Sequence, residues 1–343
     1  MLKEVTIGSY RGLEQVNIGE FGKVNVFVGA NNSGKTSILE AIMLSGLFRD
    51  AELLIEILSS RYPRMNIDMI KAMFHANKES VIHIGQIAAC GTIINTHILY
   101  EENITLDSEM EKGKEVALFF YHESNEHLEQ KYKMTFKEEQ DGLKLSITKE
   151  AESGKNFQGK PCQYISFSRF DVTKHFMDII DSVLDSNRKM ELVEVLRIFD
   201  RDVINFEVIG KKRIIKIFRQ GEENALSLYD YGNGMYKAFF IAAASILCKD
   251  GLLLIDEIEA GIHKEALGKF MKYLIEVSNM NHTQIFMTTH SLEALDVILE
   301  EERKELENVA IFNINQYEGK MVARKYTGEK LLRLRSEMGI DIR

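Results

Sequence analysis

The chain has 343 residues, of which 45% are hydrophobic and 28% charged, with two prolines and no tryptophan. That composition is ordinary for a soluble globular protein, and the length suffices for one large α/β domain or two smaller ones. With 52 acidic against 43 basic residues the net charge is −9, which argues against a surface broadly coating nucleic acid while leaving room for a local basic patch.

In chain order, the opening MLKEVTIGSYRG lacks the apolar core of a signal peptide. Residues 2–8 and 14–28 are expected as strands, with Arg11 at the tip of the intervening turn, where a solvated side chain is the plainest expectation. Residues 24–28, VNVFV, form a short apolar run that reads as a buried strand. GANNSGKT follows over residues 29–36, a full G-x-x-x-x-G-K-[ST] phosphate loop. From Ser37 onward Ile38, Leu39, Ile42, Met43 and Leu44 recur at helical spacing. The motif therefore follows a strand and opens a helix, which is the context it needs. Gly29 and Gly34 permit backbone angles that aim successive N–H groups at a phosphate, and the helix N-terminus adds positive potential there. Lys35 is placed to reach the β- and γ-phosphates and the Thr36 hydroxyl to ligate Mg2+. The expected ligand is a nucleoside triphosphate with magnesium.

Residues 50–60 and 66–76 are expected as helices. Residues 80–150 alternate polar and apolar positions in ALFFYHE, KYKMTFKE and LKLSITKE, with a turn signal at Asp141-Gly142, the pattern of an antiparallel meander with one solvated face. His83, His97, His122 and His127 fall in this region without zinc-ligand spacing and read as structural or surface residues. Two helices are expected over 173–200 with a break near residues 185–187, too short and irregular for a sizeable coiled coil. Residues 203–218 suggest a hairpin turning at Gly210, with a solvated basic tip KKR.

Gly232-Asn233-Gly234 then turns the chain into an apolar helix whose N-terminus could present N–H groups to an anion. Its run over 238–248 is too short to span a bilayer and reads as a core helix. Residues 252–255 are a fully apolar strand ending in Asp256-Glu257, which sets two acids where open α/β sheets bind ligands. Asp256 is suited to hold Mg2+ through water, and Glu257 to orient and deprotonate an attacking water. A second apolar strand in TQIFMTTHS carries His290 at its tip, in position to hydrogen-bond a γ-phosphate or the water. Residues 308–326 read as a final hairpin and 329–338 as a short helix. Cys90, Cys162 and Cys248 form no C-x-x-C pair and are expected to be reduced, buried thiols of a cytoplasmic protein.

The ordered set YRG, GANNSGKT, a GNG-turned helix, LLLIDE, an acidic-glycine loop and TTHS resembles the ATPase heads of the ABC superfamily, in the branch shared by Rad50 and the SMC proteins. More closely it resembles the ATPase module of the OLD (overcoming lysogenization defect) family and its relatives in bacterial anti-phage systems. The resemblance covers residues 1–48 and 160–343, with the intervening segment alike in character only. It implies an α/β fold: one ABC-type P-loop ATPase head over 1–343, with a mixed-sheet core of 1–48 and 205–343 and an inserted β and helical lobe over 49–204.

Residue by residue, Gly29, Asn32, Gly34, Lys35, Thr36 and Ser37 match the Walker A loop, Asp256 the Walker B aspartate, Glu257 the catalytic glutamate and His290 the switch histidine. Arg11 matches an arginine that lies near the nucleotide in Rad50-like heads. Asn233 and Gly234 take the place of the signature motif, which contacts the γ-phosphate of the opposite subunit, and residues 259–263 that of the D-loop. Here GNG replaces the usual Ser-Gly-Gly, although the Asn233 amide can still donate. Gln86 and Gln163 both remain candidates for the Q-loop glutamine. The residues after His290 are too few for the Toprim nuclease domain of full-length OLD proteins and show no D-x-D cluster, so the resemblance ends with the ATPase.

What the resemblance implies is an ATP- and Mg2+-dependent ATPase working as a homodimer or a larger even-numbered homo-oligomer, without a membrane, as a regulatory head for a separate effector such as a nuclease. The alternative is a DNA-binding head of the Rad50 and SMC kind acting in repair, against which stands the absence of long heptad arms and zinc-hook cysteines in the middle of the chain. An N-K-x-D base-reading motif is also missing, which counts against a GTPase.

Overall fold

Alternation of period two dominates the first half of the chain and buried apolar runs the second, and the architecture follows that division. The structure is a computed structural model describing residues 1–45, 54–55, 57–58, 66–74, 81–106, 112–125, 127–139, 142–152, 161–166, 174–301, 306–317 and 320–342. Its first elements are β1 (Leu2–Tyr10), β2 (Leu13–Gly19), β3 (Val24–Val28), α1 (Lys35–Leu44), α2 (Ile67–Lys71), β4 (Val81–Ala88), β5 (Ile93–Leu106), β6 (Lys112–Ser124), β7 (His127–Glu139) and β8 (Gly142–Glu152). There follow β9 (Cys162–Ile165), α3 (Lys174–Asp185), α4 (Lys189–Phe199), β10 (Val203–Ile209), β11 (Ile214–Arg219), β12 (Leu226–Ser227), α5 (Asn233–Leu247), β13 (Leu252–Ile255), α6 (Lys264–Asn281), β14 (Gln284–Thr289), α7 (Leu292–Glu301), β15 (Val309–Tyr317), β16 (Lys320–Thr327) and α8 (Gly328–Met338). They form two compact units, one of Met1–Phe21, Ala30–Lys160 and Asn313–Arg324, the other of Gly22–Gly29, Pro161–Phe312 and Lys325–Arg343.

The first unit is built on a seven-stranded sheet in the order β2-β1-β4-β5-β6-β7-β8, antiparallel throughout. Ile82 and Ile84 of β4, Ile98 of β5 and Val116, Leu118 and Phe120 of β6 are buried on one face, the consequence of side chains alternating across a pleated strand. The meander expected over 80–150 is therefore present, and β1 and β2 extend it. Its expected turn at Asp141-Gly142 falls largely on residues 140–141, outside the described residues. The helix expected over 50–60 also lies outside the described residues except at residues 54–55 and 57–58. The helix expected over 66–76 is shorter, running from Ile67 to Lys71 with the Asn66 side chain accepting from the Met69 N–H.

The second unit centres on four parallel strands in the order β3-β14-β13-β9. Every residue of β3, β13 and β14 is buried, as expected of parallel strands covered on both faces. Residues 235–246 of α5 are buried without exception, so this helix is apolar all round and lies in the core. The α3–α4 break, the β10–β11 hairpin at Gly210 and the closing hairpin of β15 and β16 stand where expected. The strand β9 has no counterpart in the sequence expectations: four residues are too few to show a period.

Two expectations need correction. Only Cys248 is a buried thiol; Cys90 is exposed and Cys162 half-buried. The KKR tip is not simply solvated, because Arg213 pairs with Asp181 and donates to the Met177 carbonyl at 3.3 Å.

Candidate functional site

In the second unit, register decides where the chemistry falls. Val28 of β3 lies opposite Thr289 of β14, and Ile255 of β13 opposite Met287. The C-terminal ends of three parallel strands thus share one edge, from which the chain enters the phosphate loop at Gly29, the acidic pair at Asp256 and the polar tip at His290. This is the edge where α/β sheets place ligands.

Asp256 is 6% exposed, and its Oδ1 accepts a 2.6 Å hydrogen bond from the Thr288 hydroxyl. The same hydroxyl oxygen accepts the Glu257 N–H at 2.8 Å. Glu257 has a left-handed φ of 51° and is exposed, so the chain turns sharply after β13 and sends this carboxylate outward. The Ile258 N–H donates to the Thr288 carbonyl at 3.2 Å, which ties the turn to β14 a second time. Oxygen ligands suit magnesium, and Asp256 offers a carboxylate held by a fixed neighbour.

His290 is half-exposed beside Glu259, whose Oε1 accepts the His290 backbone N–H at 2.9 Å and lies 3.2 Å from its Nδ1. Asn233 and Gly234 open α5 against the loop that carries Glu259. A β-carbon on Gly234 would stand 2.5 Å from the Gly261 carbonyl oxygen, so only glycine allows this backbone-to-backbone approach. The GNG turn and the acidic-glycine loop are consequently packed together within one chain.

Lys237, one turn into α5, is 4% exposed. Burial holds its ammonium below the ordinary lysine value, and the charges of Glu257 and Glu259 offset that only in part.

In the first unit, Gly34 ends the phosphate loop with φ of 98° and Asn32 has φ of 63°, so two left-handed residues curl the loop in the manner of an anion-binding nest. Lys35, 8% exposed, bends back to donate from Nζ to the Ala30 carbonyl at 2.7 Å. Ser33 Oγ is buried with no hydrogen-bond partner among the described residues, a polar group at the loop that a bound anion would satisfy. Thr36 and Ser37 occupy the first turn of α1 and are half-buried. These residues fit a polyphosphate.

Arg11 is not a solvated turn residue. Its Nε donates to Glu40 Oε2 at 3.0 Å, with the two side chains 10% and 0% exposed. The Tyr10 hydroxyl donates to the same oxygen at 3.0 Å. Since Glu40 lies one helical turn beyond Thr36, this contact fixes Arg11 against α1. Gln86 is buried, its Nε2 3.5 Å from the Ile42 carbonyl, and Gln163 is part of β9. Both carboxamide oxygens are buried without a hydrogen-bond partner among the described residues.

Thr288, Lys237 and Glu40 were absent from the sequence reading. A lysine inside the apolar stretch MYKAFFIAAASIL and a glutamate among the apolar residues of α1 were the available signals. Thr288 offered none, since threonine is at home in a buried strand.

Residues 1–160 match a family model described as AAA ATPase domain. Residues 161–296 match a second, described as an AAA domain and linked in its description with the AbiEii toxin of a type IV TA system. A relative from Helicobacter pylori named ATP/GTP phosphatase is 24% identical over 374 residues, covering 96% of this chain and 97% of that protein. An uncharacterized protein of Methanocaldococcus jannaschii is 34% identical over 113 residues, which cover 33% of this chain and 98% of its own. Among solved structures, an SMC head bound to the C-winged helix domain of ScpA superposes with a TM-score of 0.51 at 14% identity, over 97% of this chain and 99% of that one. That likeness is one of fold alone, a mixed α/β architecture.

Proposed function

We propose that this chain, an ATPase of the AAA/ABC type with an SMC-head-like fold, binds ATP with Mg2+ and hydrolyses it to ADP and phosphate as the regulatory head of a homo-oligomer. The observation that carries this reading is the acidic pair at the end of β13, braced by Thr288 and set at the sheet edge where β3 runs into the phosphate loop. Lys35 exchanges the Ala30 carbonyl for phosphate oxygens and offsets their charge. The Thr36 hydroxyl and the Asp256 carboxylate are the oxygens that would hold magnesium. That ion supplies further neutralisation of phosphate charge. Glu257, outward-facing on a braced turn, orients a water in line with the γ-phosphate and takes its proton as the bond to ADP breaks. His290 lies at the tip of the neighbouring strand as a hydrogen-bonding group for the phosphate or the water, and Arg11 is held beside α1 as a second cation.

Asn233 and Gly234 serve the nucleotide of a second copy, so that closure of a dimer around ATP is the output. Their packing against Gly261 favours this, because the turn and the loop of residues 259–263 would then present themselves as one surface. By the resemblance to OLD-type heads, the regulated partner is a separate effector such as a nuclease in anti-phage defence. The test is phosphate release from ATP by the wild type, Lys35→Ala and Glu257→Gln. Release by the wild type that falls at least about tenfold in both variants supports the reading; undiminished release by Lys35→Ala overturns it.

A second reading, a DNA-binding head of the SMC kind, draws on the fold likeness. The net charge of −9 weighs against it. ATP-dependent, salt-sensitive DNA binding by the purified chain would favour it.

A further inference from the structure

We propose that Glu259 is a positioning residue for His290: its carboxylate fixes the imidazole so that Nδ1 carries the proton toward Glu259 and Nε2 is the nitrogen left for the reacting phosphate or water. This inference rests on the function proposed above and assigns a role within the same site.

The geometry is specific. One oxygen, Glu259 Oε1, accepts the His290 backbone N–H at 2.9 Å and lies 3.2 Å from its Nδ1. An acceptor beside Nδ1 favours the neutral tautomer with its proton on that nitrogen, which leaves the lone pair on Nε2. The Glu259 side chain is 12% exposed and that of His290 46%, so the carboxylate is the sheltered member of the pair and the ring the accessible one. That is the arrangement in which a carboxylate orients an imidazole for proton transfer. Nε2 can then accept from a water in the neutral ring, or donate to a phosphate oxygen once the ring takes a second proton.

Glu259 is itself well anchored. It follows the left-handed residue Glu257, and its carbonyl accepts the Ile262 N–H at 3.0 Å while the Ala260 N–H bonds the Glu257 carbonyl at 3.0 Å. Its other oxygen, Oε2, is buried without a hydrogen-bond partner among the described residues. Sheltering a carboxylate in this way is costly, and the Lys237 ammonium on α5 interacts with it through charge. An acid serving only to pin the loop could be replaced by a neutral acceptor at less cost.

The experiment uses the full chain. Two-bond 1H–15N spectra of the nucleotide-free protein, with His290 assigned by its loss in His290→Ala, read which ring nitrogen holds the proton. The expected result is a proton on Nδ1 in the wild type that shifts to Nε2 in Glu259→Ala; an unchanged tautomer overturns the proposal. In steady-state hydrolysis, Glu259→Ala is expected to lower kcat about tenfold with KM for ATP changed less than about threefold, and to change kcat less than about twofold in a His290→Ala background. Glu259→Gln, which keeps an acceptor, recovers part of the lost kcat. Fully multiplicative effects in the double variant, or a change in KM alone, overturn the proposal. A wild type that hydrolyses no ATP would sink the proposed function, and the tautomer measurement would still decide the role of Glu259.

Discussion

The Thr288 hydroxyl donates to Asp256 Oδ1 at 2.6 Å and accepts the Glu257 N–H at 2.8 Å, so a single buried side chain of β14 fixes both acids at the end of β13. Replacing it by valine keeps the shape but leaves a buried carboxylate oxygen and an amide without this partner. Thr288→Val is expected to cost about 1–3 kcal/mol in urea unfolding and to lower hydrolysis well beyond what that loss explains. Thr288→Ser, which keeps the hydroxyl, should stay near the wild type in both measurements.

Gly34 faces two separate obstacles to a side chain. A β-carbon there would stand 2.3 Å from Met321 Cε and 3.0 Å from Leu13 Cδ2, and φ is 98°. The methionine tip is flexible and can move aside, whereas the left-handed backbone cannot be relieved by a neighbour. Gly34→Ala is therefore expected to lose about 1–3 kcal/mol of stability together with ATP affinity. Adding Met321→Ala should restore less than half of the loss; full recovery would mean that the clash, not the backbone, was the cause.

Arg11 and Glu40 form a pair with side chains 10% and 0% exposed. Arg11→Ala removes the guanidinium that faces the buried Glu40 carboxylate, a change expected to cost about 3–5 kcal/mol. Arg11→Ala combined with Glu40→Gln should recover most of that loss, as read by the thermal midpoint. A similar midpoint in the single and double variants would show that the ion pair is not what holds Arg11 in place.

Burial lowers His122 from 6.5 to about 4, and the charge of His97 acts in the same direction. His83 is lowered too, chiefly by burial. Above pH 6.5 the folded and unfolded chains hold this ring equally neutral. Between 6.5 and about 4 the unfolded chain takes up a proton that the fold refuses, so stability falls with falling pH by up to about 1.4 kcal/mol per pH unit for this group. Urea midpoints for His122→Leu should fall less steeply across that window than those of the wild type; parallel slopes would contradict the burial of a neutral ring.

Much of this was legible in the sequence because its signals are contiguous. The phosphate loop, the two apolar strands ending in Asp256 and His290, and the hairpin at Gly210 each declare themselves within about ten residues. What could not be read depends on partners distant in the chain. Period-two alternation says which face of a strand is buried but not which strand lies beside it, so the joining of β1 and β2 to the meander was not visible. The same is true of side-chain pairs: nothing local marks Arg11 as held by Glu40 or Thr288 as the brace of Asp256. The exposure of Cys90 likewise reflects a tight turn between β4 and β5, where the Gly91 N–H bonds the Ala88 carbonyl at 2.9 Å.

The most direct test of an ATP-driven head is the mass in solution of Glu257→Gln, measured by light scattering with and without ATP and Mg2+. A variant that binds ATP without hydrolysing it should accumulate the closed assembly. The account predicts an increase in mass with nucleotide that Lys35→Ala abolishes. A monomer under every condition would contradict it.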